Sequence, residues 1–272
     1  MKLNTQTILC GVIGNPIIHS LSPSVHNAGY AAKKLNYAYL AFEVNDLKGA
    51  INGIRALGIK GISVTIPHKV AVMQYLDHVD DRAREIGAVN TILNDRGKLT
   101  GYNTDCEGAM KALEEKTTIS GKKVVLLGAG GAARAIAFGL KEKKADVLIL
   151  NRTIQKAKEL ALVTHARFGD LSELNEIKNC DILINATSVG LSTHTHKRIV
   201  PKDILHKNLT VFDIVYNPKE TQLIIDARNA GCMIVYGYKM LLYQAVAQFE
   251  LFTETAAPVH VLEKALLQGL KG

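Results

Sequence analysis

The chain lacks tryptophan and is poor in cysteine. Its 272 residues include four cysteines, Cys10, Cys106, Cys180 and Cys232, which are widely separated and form no C-x-x-C pair. This spacing argues against a zinc site and against a compact disulfide scaffold. We therefore expect reduced thiols and a cytoplasmic protein.

Long apolar runs are also absent from the chain. The longest apolar stretch, residues 124–140, contains Arg134 and four glycines, which makes it unfavourable as a membrane span. The N-terminal segment has a short apolar run without a small-residue cleavage site, so we interpret it as a first strand and not as a signal peptide. Hydrophobic residues still make up 47% of the chain, which is enough for buried cores, and the length favours two domains.

The formal net charge of +8 does not follow a nucleic-acid-binding pattern. Basic residues are dispersed, and the KEKK cluster at Lys141–Lys144 has no interleaved aromatic residues, so a solvated helix end explains it. A basic surface also attracts small anions, and the charge alone separates these partners poorly. We expect a small-molecule substrate, and neither a nucleic-acid nor a membrane partner.

Strand-like and helix-like segments alternate in two series, which predicts an α/β fold with two domains. The first series, from Thr7 to Thr100, implies mostly parallel strands and includes a helical run near Val70 to Ile86. The second series restarts at Lys122 and fits a doubly wound sheet. After Gly237 the pattern is helical, and those helices should pack back on the first domain. The predicted segments are residues 1–103, 104–237 and 238–272.

A glycine-rich turn is the main candidate for a nucleotide site. The apolar strand Val124–Leu127 leads into Gly128-Ala129-Gly130-Gly131-Ala132-Ala133, a G-x-G-x-x-A pattern that opens a predicted helix. The glycines allow a tight turn and close approach of the backbone to a pyrophosphate, whose charge the helix N-terminus favours. Its place between strand and helix favours dinucleotide binding over a purely structural turn.

The residues after the next predicted strand indicate which dinucleotide would bind. Val147–Leu150 ends in Asn151-Arg152-Thr153, where an NAD-binding fold usually carries an acidic residue against the ribose hydroxyls. Asn151 is neutral, whereas Arg152 can pair with a 2′-phosphate, and Lys156 lies on the same helical face. We infer NADP in preference to NAD. The alternative is that Arg152 only covers a helix end.

Polar residues at strand ends form the candidate substrate side. Ser20 and Ser22 follow a Gly-Asn-Pro turn at the start of a predicted helix, where hydroxyl and N–H groups suit a carboxylate. Plain capping by Ser22 explains the pair equally well. Asn90 in GAVNTI and Asp105 in GYNTD also lie at strand ends, where open α/β sheets bind ligands.

The stretch SVTIPHK places Lys69 directly after a β-branched strand and a proline. Because proline fixes its own φ and donates no N–H, we expect Lys69 in the first turn of a helix. Taken by itself, the stretch favours a solvated surface lysine, because most lysines are simply exposed. Asp105 can start its own helix or pair with Lys69.

The chain contains nine short segments in this order: SLSPSVHN, VTIPHK, GAVNTI, GYNTD, GAGGAARA, NRT, NATSVG, DIVYNP and the block Gly237–Gln244. In this order they resemble the shikimate dehydrogenase family, and the resemblance covers nearly the whole chain. It implies NADPH-dependent, reversible reduction of 3-dehydroshikimate to shikimate, in aromatic amino-acid biosynthesis, by a monomer or a homodimer. It also implies a substrate domain split around an inserted Rossmann-type NADP domain, with the C-terminal helices completing the substrate domain.

The resemblance assigns roles residue by residue. The lysine and aspartate pair of the family falls on Lys69 and Asp105, and its carboxylate-holding serines fall on Ser20 and Ser22. Further positions that match substrate contacts are Thr65, Asn90, Tyr216 and Gln244. Positions that match cofactor contacts are Gly128, Ala129, Gly130, Gly131, Ala132, Asn151, Arg152, Thr153, Lys156, Ile214, Gly237 and Met240, with Asp81 a weaker match.

These assignments imply a mechanism without a metal. The Lys69 ammonium would donate a proton to the carbonyl oxygen and stabilise the developing alkoxide, with Asp105 orienting it. His194 and His196 are interpreted as loop histidines and not as metal ligands.

Two departures from the family pattern affect this expectation. Ser63 stands where the family commonly has Asn, and Tyr238-Lys239 replace a common Leu-Gly pair before Met240. The second departure is expected to alter the nicotinamide pocket.

Three alternatives to the family activity stay open at this point. A two-domain dehydrogenase acting on a folate ring would not need SLSPS. Quinate dehydrogenase activity differs by one substrate hydroxyl, which a single pocket contact can decide. A catalytically idle NADP-binding regulator has no evident use for both Lys69 and Asp105.

Overall fold

The computed structural model describes residues 3–191 and 197–270. The chain forms two compact units: the first unit is Met1–Thr104 with Gln244–Gly272, and the second unit is Asp105–Tyr243. Each unit contains a sheet flanked by helices, so the predicted two-domain α/β fold is confirmed. In the described part of the chain, no helix combines the length and apolar character needed to cross a bilayer.

The first unit contains a sheet of short strands. The strands are β1 Ile8–Gly14, β2 Tyr37–Glu43, β3 Gly61–Val64, β4 His78–Val79, β5 Thr91–Asp95 and β6 Lys98–Tyr102. The helices on the N-terminal side of the chain are α1 Ser22–Ala32, α2 Leu47–Ala56 and α3 Asp81–Ile86, with a 3-10 helix at Ala71–Tyr75.

This sheet has the strand order β2-β1-β3-β5-β6-β4 and mixed directions. β1 pairs in parallel with β2 and β3, and β4 pairs in parallel with β6. β5 is antiparallel to both β3 and β6. Arg96 and Gly97 join β5 to β6 with φ values of 51° and 91°, the conformation of a two-residue hairpin turn. The predicted parallel pairing therefore holds around β1 and gives way to a hairpin at β5.

The predicted helical run from Val70 to Ile86 is wrong. The structure divides it into the 3-10 helix, β4 and α3. Asp77 lies between the 3-10 helix and β4. No helix continues through it because its carboxylate accepts hydrogen bonds from Arg55 at 2.6 Å and from Leu99 N at 2.7 Å. Asp80 then starts α3 as its N-cap, accepting from the N–H groups of Arg82 and Ala83.

The second unit is a regular alternation of strands and helices. Its elements are α4 Asp105–Glu114, β7 Lys123–Leu127, α5 Gly131–Glu142, β8 Asp146–Leu150, α6 Ile154–Thr164, β9 Arg167–Gly169, β10 Ile182–Asn185, β11 Thr210–Asp213, α7 Gln222–Asn229 and β12 Met233–Tyr236. Two 3-10 helices lie at Leu171–Asn179 and Lys202–Ile204.

The strands of the second unit pair in parallel in the order β12-β11-β10-β7-β8-β9. This is the doubly wound order: β8 and β9 are added on one side of β7, and β10, β11 and β12 are added on the other side. The strand order therefore reverses between β7 and β10. Consecutive residues of β7 belong to different cores: Val124 and Leu126 pack in one, Val125 and Leu127 in the other. The sheet is thus covered on both faces, as parallel sheets require.

Two helices complete the chain, α8 Gly237–Thr253 and α9 Val259–Gly269. Within the first unit they pack on α1, where a Cβ on Gly29 would lie 2.8 Å from both Phe249 and Leu262. Gln244–Gly272 belongs to the first unit, whereas the start of α8, up to Tyr243, belongs to the second unit.

The four cysteines are free and buried. Burial raises the pKa of the Cys10 and Cys180 thiols to about 12 each. Such thiols carry almost no thiolate at neutral pH, so they pack as small apolar side chains.

The close approach of Gly61 to the ring of Phe252 generates a stability prediction. Gly61→Ala should lower the free energy of unfolding by about 1–3 kcal/mol, because the new methyl group overpacks a buried strand. Gly53→Ala, in the interior of α2 with open space around it, should instead raise it by about 0.5–1 kcal/mol. Urea denaturation measures both changes, and equal effects would contradict the packing argument.

Candidate active site

The serine pair lies at the N-terminus of α1. Ser22 is the first helical residue, and the N-cap is Leu21, which makes no side-chain capping bond. The interpretation of Ser22 as the N-cap is therefore wrong by one residue. Ser20 Oγ accepts a long hydrogen bond of 3.4 Å from Ser22 N. Both hydroxyls are half-buried, next to N–H groups that suit a carboxylate.

Thr65 and Lys69 lie in the tight turn that follows β3. Thr65 N donates to the carbonyl of Ile13 at 3.0 Å, and His68 N donates to the carbonyl of Thr65 at 2.9 Å. The Lys69 carbonyl accepts from Val89 N at 2.8 Å, so backbone hydrogen bonds fix both ends of the turn. Lys69 precedes the 3-10 helix at Ala71–Tyr75 and does not lie in a first α-helical turn, contrary to the sequence expectation.

Asn90 is buried beside this turn. Its carbonyl accepts from Val64 N at 2.7 Å, which joins it to the end of β3. Its side chain exchanges two hydrogen bonds with Thr104: Nδ2 donates to Oγ1 at 2.9 Å and Oδ1 accepts from the backbone N at 2.8 Å. Gln244, on α8, is also buried in the first unit. Thr65 and Lys69 thus follow the end of β3, and Asn90 is bonded to that end through its carbonyl.

Asp105 is the first residue of α4 and belongs to the second unit. It is only 4% exposed, and a carboxylate at a helix N-terminus is stabilised by the peptide dipoles. Tyr216 belongs to the same unit, in the loop after β11, and burial raises the pKa of its phenol.

The glycine-rich loop leaves β7 at the point where strand order reverses. Gly128 has a φ of 111°, and a Cβ there would lie 2.8 Å from the carbonyl oxygen of Ala186, so only glycine fits. Gly130 is the N-cap of α5 and offers no side chain to the N–H groups of Gly131, Ala132 and Ala133. The space around Gly130 is open. An uncapped helix N-terminus beside an open backbone fits a pyrophosphate.

A second uncapped helix N-terminus follows β8. Thr153 is the N-cap of α6 and makes no side-chain capping bond, while Asn151 Nδ2 donates to the Thr153 carbonyl at 2.9 Å. Arg152 and Lys156 are both exposed beside this terminus. Two cations at free N–H groups form an arrangement suited to a phosphate monoester.

Gly237 holds two candidate cofactor segments against each other. A Cβ on Gly237 would lie 2.5 Å from the carbonyl carbon of Ile214, so β11 and the start of α8 meet backbone to backbone. Met240 is buried in the core of the second unit. Tyr238 and Lys239, the two residues that depart from the family pattern, both have partners nearby. Lys239 Nζ lies 3.2 Å from Glu115 Oε1, and the Tyr238 ring stacks on the Tyr236 ring with 5.8 Å between ring centres.

Other predicted positions stand apart from these groups. Asp81 is exposed on α3 in the first unit and pairs with Arg84 at 2.8 Å. His194 and His196 lie outside the described residues. Within residues 3–191 and 197–270 no group of three or more His, Cys, Asp or Glu side chains is arranged to hold a metal ion.

Asp213 is a site-adjacent residue that the sequence patterns did not single out. Its carboxylate is fully buried and accepts from Thr221 Oγ1 at 2.6 Å, Asn185 Nδ2 at 3.0 Å and Val215 N at 3.1 Å. Asn185 Oδ1 also accepts from Thr187 Oγ1 at 2.7 Å. These bonds tie together the loops after β10 and β11. The signal was present in NATSVG and DIVYNP, where a polar residue ends each apolar strand.

The two units together define a class of protein. A doubly wound parallel sheet with a glycine-rich loop at its switch point is a dinucleotide-binding fold, and the strand-end ammonium, amide and hydroxyl groups of the first unit are those of an enzyme acting on a small polar substrate.

Comparison with known families gives the narrower placement. The shikimate dehydrogenase substrate binding domain matches residues 12–92, shikimate / quinate 5-dehydrogenase matches residues 110–229, and the shikimate 5′-dehydrogenase C-terminal domain matches residues 237–267. The chain therefore belongs to the shikimate dehydrogenase family, as its sequence motifs predicted.

Individual members of the family are similar to this chain over nearly their full lengths. A shikimate dehydrogenase (NADP(+)) from Methanothermobacter thermautotrophicus is 45% identical, over 96% of each chain. The crystal structure of a shikimate dehydrogenase in complex with NADP+ is 40% identical with a TM-score of 0.94, over 99% of this chain and 98% of that one. Shikimate 5-dehydrogenase from Thermus thermophilus, in complex with NADP(H) and shikimate, is 33% identical with a TM-score of 0.91, over 97% and 100%.

The buried Asp213 carboxyl generates a pH prediction. Burial raises its pKa to about 6, and its three hydrogen bonds offset this only in part. The unfolded chain therefore releases this proton first as the pH rises. The stability advantage of wild type over Asp213→Asn should be largest below pH about 4 and shrink by up to roughly 3 kcal/mol as the pH approaches about 6, at about 1.4 kcal/mol per pKa unit.

Asp226→Asn is the matched control, measured by urea denaturation over the same pH range. Burial alone would raise the pKa of Asp226, but hydrogen bonds from Arg198 and Gln222 bring it below the ordinary value. The stability that Asp226 contributes should therefore be lost as the pH falls. A pH-independent difference between wild type and Asp213→Asn would contradict the account of Asp213.

Proposed function

We propose that the chain catalyses the reversible reduction of 3-dehydroshikimate to shikimate with NADPH, as an oxidoreductase acting on a CH–OH group of the shikimate pathway. The observation that carries the proposal is the strand-end Lys69, held by backbone hydrogen bonds beside buried Asn90, in a member of this family that also has an open glycine-rich loop. Ketone reduction needs a proton donor and a hydride donor: Lys69 is assigned as the proton donor, and the glycine-rich loop would hold the dinucleotide that supplies the hydride.

The proton side of the reaction is assigned to Lys69. The bound dinucleotide supplies the hydride that the carbonyl carbon accepts. As that occurs, the Lys69 ammonium donates a hydrogen bond and then a proton to the carbonyl oxygen, which stabilises the developing alkoxide. Asp105 is assigned as the carboxylate that orients the ammonium and relays protons. The backbone bonds at both ends of the Lys69 turn fix the Cα position from which the side chain reaches.

The remaining substrate contacts divide by chemistry. Ser20 and Ser22 are assigned to the carboxylate, because their hydroxyls stand beside helix N-terminal N–H groups. Thr65, Asn90, Tyr216 and Gln244 are assigned to the ring hydroxyls or the carboxylate. None of these neutral side chains changes charge in the reaction, so their contribution is to bind and orient the ring.

The cofactor assignment rests on the two uncapped helix N-termini of the second unit. Gly128, Ala129, Gly130, Gly131 and Ala132 would hold the pyrophosphate, and Asn151, Arg152, Thr153 and Lys156 the 2′-phosphate end. Ile214, Gly237 and Met240 are assigned to the nicotinamide end, with Asp81 a weaker candidate. Exposed cations at α6 support NADP in preference to NAD.

Other parts of the proposal concern the setting of the enzyme. Four free, buried thiols favour a reducing cytoplasm. The substrate is a small molecule, and the chain is assigned as a monomer or a homodimer.

Quinate is the second candidate substrate, because the family model that matches residues 110–229 is shared between shikimate and quinate enzymes. A spectrophotometric assay of NADP+ reduction with shikimate, and with quinate as comparison, tests the proposal. Higher kcat/KM with shikimate is expected. Turnover of quinate alone, or of neither compound, would overturn it.

Arg152→Ala should weaken the binding of NADP much more than the binding of NAD. Loss of one charge-assisted contact to the 2′-phosphate costs about 1.5–3 kcal/mol, which is roughly a ten- to hundredfold rise in KM for NADP. Lys158→Ala, an exposed lysine on the same helix, is the control and should leave both values unchanged. Equal effects of Arg152→Ala on the two cofactors would remove Arg152 from the phosphate role.

Lys69→Ala should lower kcat by about 10²–10⁴-fold, the usual contribution of positioned proton transfer, while NADP binding persists. Lys69→Arg should recover little, because a guanidinium is broad and does not titrate near neutral pH. Lys48→Ala, exposed on α2, controls for the loss of a surface lysine. Near-wild-type kcat in either Lys69 variant, with folding verified by circular dichroism, would leave Lys69 as an ordinary surface residue.

A further inference from the structure

A carboxylate is buried at the carboxyl edge of the parallel sheet in the second unit. Asp213 is the last residue of β11 and is fully buried. It lies opposite Asn185, the last residue of β10, which in turn lies opposite Leu127, the residue before the glycine-rich loop. Because neighbouring strands are about 4.8 Å apart, the backbone of Asp213 stands roughly 10 Å along this edge from the strand that leads into the loop.

The donors that hold the Asp213 carboxylate are neutral. Thr221 Oγ1 donates at 2.6 Å, Asn185 Nδ2 at 3.0 Å and Val215 N at 3.1 Å. In the described part of the chain, no lysine or arginine pairs with it. A buried charge without an ionic partner is costly, and burial accordingly raises the pKa of Asp213 to about 6. At pH 8 the group is nevertheless ionised, so hydrogen bonding alone leaves this charge unexplained.

The charged and titratable side chains on the elements around Asp213 have partners of their own. Tyr236, opposite Asp213 on β12, accepts from Arg228 of α7 at 2.9 Å. Burial raises the pKa of the Tyr216 phenol, which is therefore neutral at pH 8. The remaining charged groups are Lys219, over the Tyr236 ring at 5.1 Å, Glu220, paired with Arg228, and Lys239, paired with Glu115.

The topology decides which part of a dinucleotide reaches this edge. A doubly wound sheet takes one mononucleotide on each half. The 2′-phosphate end is assigned to Arg152 and Lys156, which follow β8, so the nicotinamide end falls on the half made by β10, β11 and β12. Ile214 directly follows Asp213, and a Cβ on Gly237 would lie 2.5 Å from the Ile214 carbonyl carbon. The segments assigned to the nicotinamide therefore adjoin the buried carboxylate.

The nicotinamide ring is the part of the cofactor that changes charge in the reaction. The ring carries one positive charge in NADP+ and is neutral in NADPH. Transfer of a hydride moves two electrons and a proton to the carbonyl carbon and leaves the positive charge on the ring. A fixed carboxylate nearby favours the charged form, and it does so more strongly in a protein interior than in water. A neutral side chain of the same shape would not discriminate between the two forms.

We propose that Asp213 discriminates between the oxidised and the reduced cofactor: its charge raises the affinity of the second unit for NADP+ relative to NADPH. The same charge stabilises the positive ring that develops as hydride leaves. The inference rests on the proposed function and adds one electrostatic residue to it. The hydrogen bonds of Asp213 to Thr221 and Val215 do not involve the cofactor, so a purely structural role would change both affinities alike.

The ratio of the Kd for NADPH to the Kd for NADP+ tests the proposal without any turnover. Titration of NADPH fluorescence gives the first constant, and displacement of NADPH by NADP+ gives the second. Asp213→Asn keeps the size of the side chain and removes its charge. At pH 8 it should lower the ratio about three- to thirtyfold, the effect of a partly screened charge. A thermal unfolding midpoint, recorded for every variant, reports stability separately.

Two control variants separate the charge from the structure around it. Thr221→Val removes one hydrogen bond to the carboxylate and keeps the charge. Asp181→Asn removes a carboxylate from the opposite edge of the same sheet, where Asp181 precedes β10 and accepts from Lys123 N at 2.9 Å. Both should leave the ratio within about twofold of wild type, because a distant or unchanged charge does not discriminate. A fall as large as that in Asp213→Asn, in either control, would overturn the proposal.

Wild-type protein supplies a test that needs no folded variant. Lowering the pH from 8 to 5.5 carries Asp213 through its pKa of about 6, so the ratio should fall toward that of Asp213→Asn. The 2′-phosphate titrates in both cofactors, and its effect on the ratio largely cancels. A wild-type ratio that is the same at both pH values, or an unchanged ratio in folded Asp213→Asn, would overturn the proposal.

The proposed function is decided by a different measurement. Wild-type turnover of shikimate with NADP+ supports that function whatever the ratio of the two affinities is. A chain that turns over shikimate and shows no effect of Asp213 on the ratio would lose this inference alone. A wild-type chain that binds neither NADP+ nor NADPH would overturn the proposed function and the inference together.

Discussion

Parallel pairing of β1 with β3 in the first sheet, and of β7 with β10 in the second, is the constraint on which the rest of the protein depends. β1 pairs with β3 so that Ile13 lies opposite Val64, and β7 pairs with β10 so that Leu127 lies opposite Asn185. Parallel strands end at the same edge, and the chain must leave that edge in loops whose backbone groups the sheet no longer uses. The candidate substrate groups follow β1 and β3, and the glycine-rich loop follows β7.

The two units use that edge in different ways. The second unit presents mainly backbone: uncapped N–H groups at α5 and α6, with open space around Gly130. The first unit presents mainly side chains, with turns fixed by backbone hydrogen bonds and with the Asn90 amide held by hydrogen bonds to Thr104. Backbone N–H groups suit an anion of any shape, whereas oriented side-chain amides can discriminate among hydroxyls.

The sequence predicted correctly those features of the fold that depend on residues close together in the chain. The glycine-rich motif between an apolar strand and a helix sufficed for the doubly wound unit, because each glycine has a local backbone reason. The prediction of one helical run at 70–86 failed because Asp77 takes partners that only the fold supplies, Arg55 and Leu99 N, and because Asp80 caps a separate helix. Ser22 was misplaced by one residue, within the usual uncertainty of helix ends. Gln248 is a polar position on α8, and nothing local in the sequence reveals that it is buried and hydrogen-bonded to Ser63 on β3 and Thr91 on β5.

The buried cysteines have a practical consequence. A buried thiol with its pKa near 12 reacts with alkylating reagents mainly when the surrounding structure opens. Cys10 belongs to the first unit, and Cys106, Cys180 and Cys232 belong to the second. The native chain therefore carries built-in reporters in both units, and the labelling rate of each thiol measures how often its own unit unfolds, without any introduced probe.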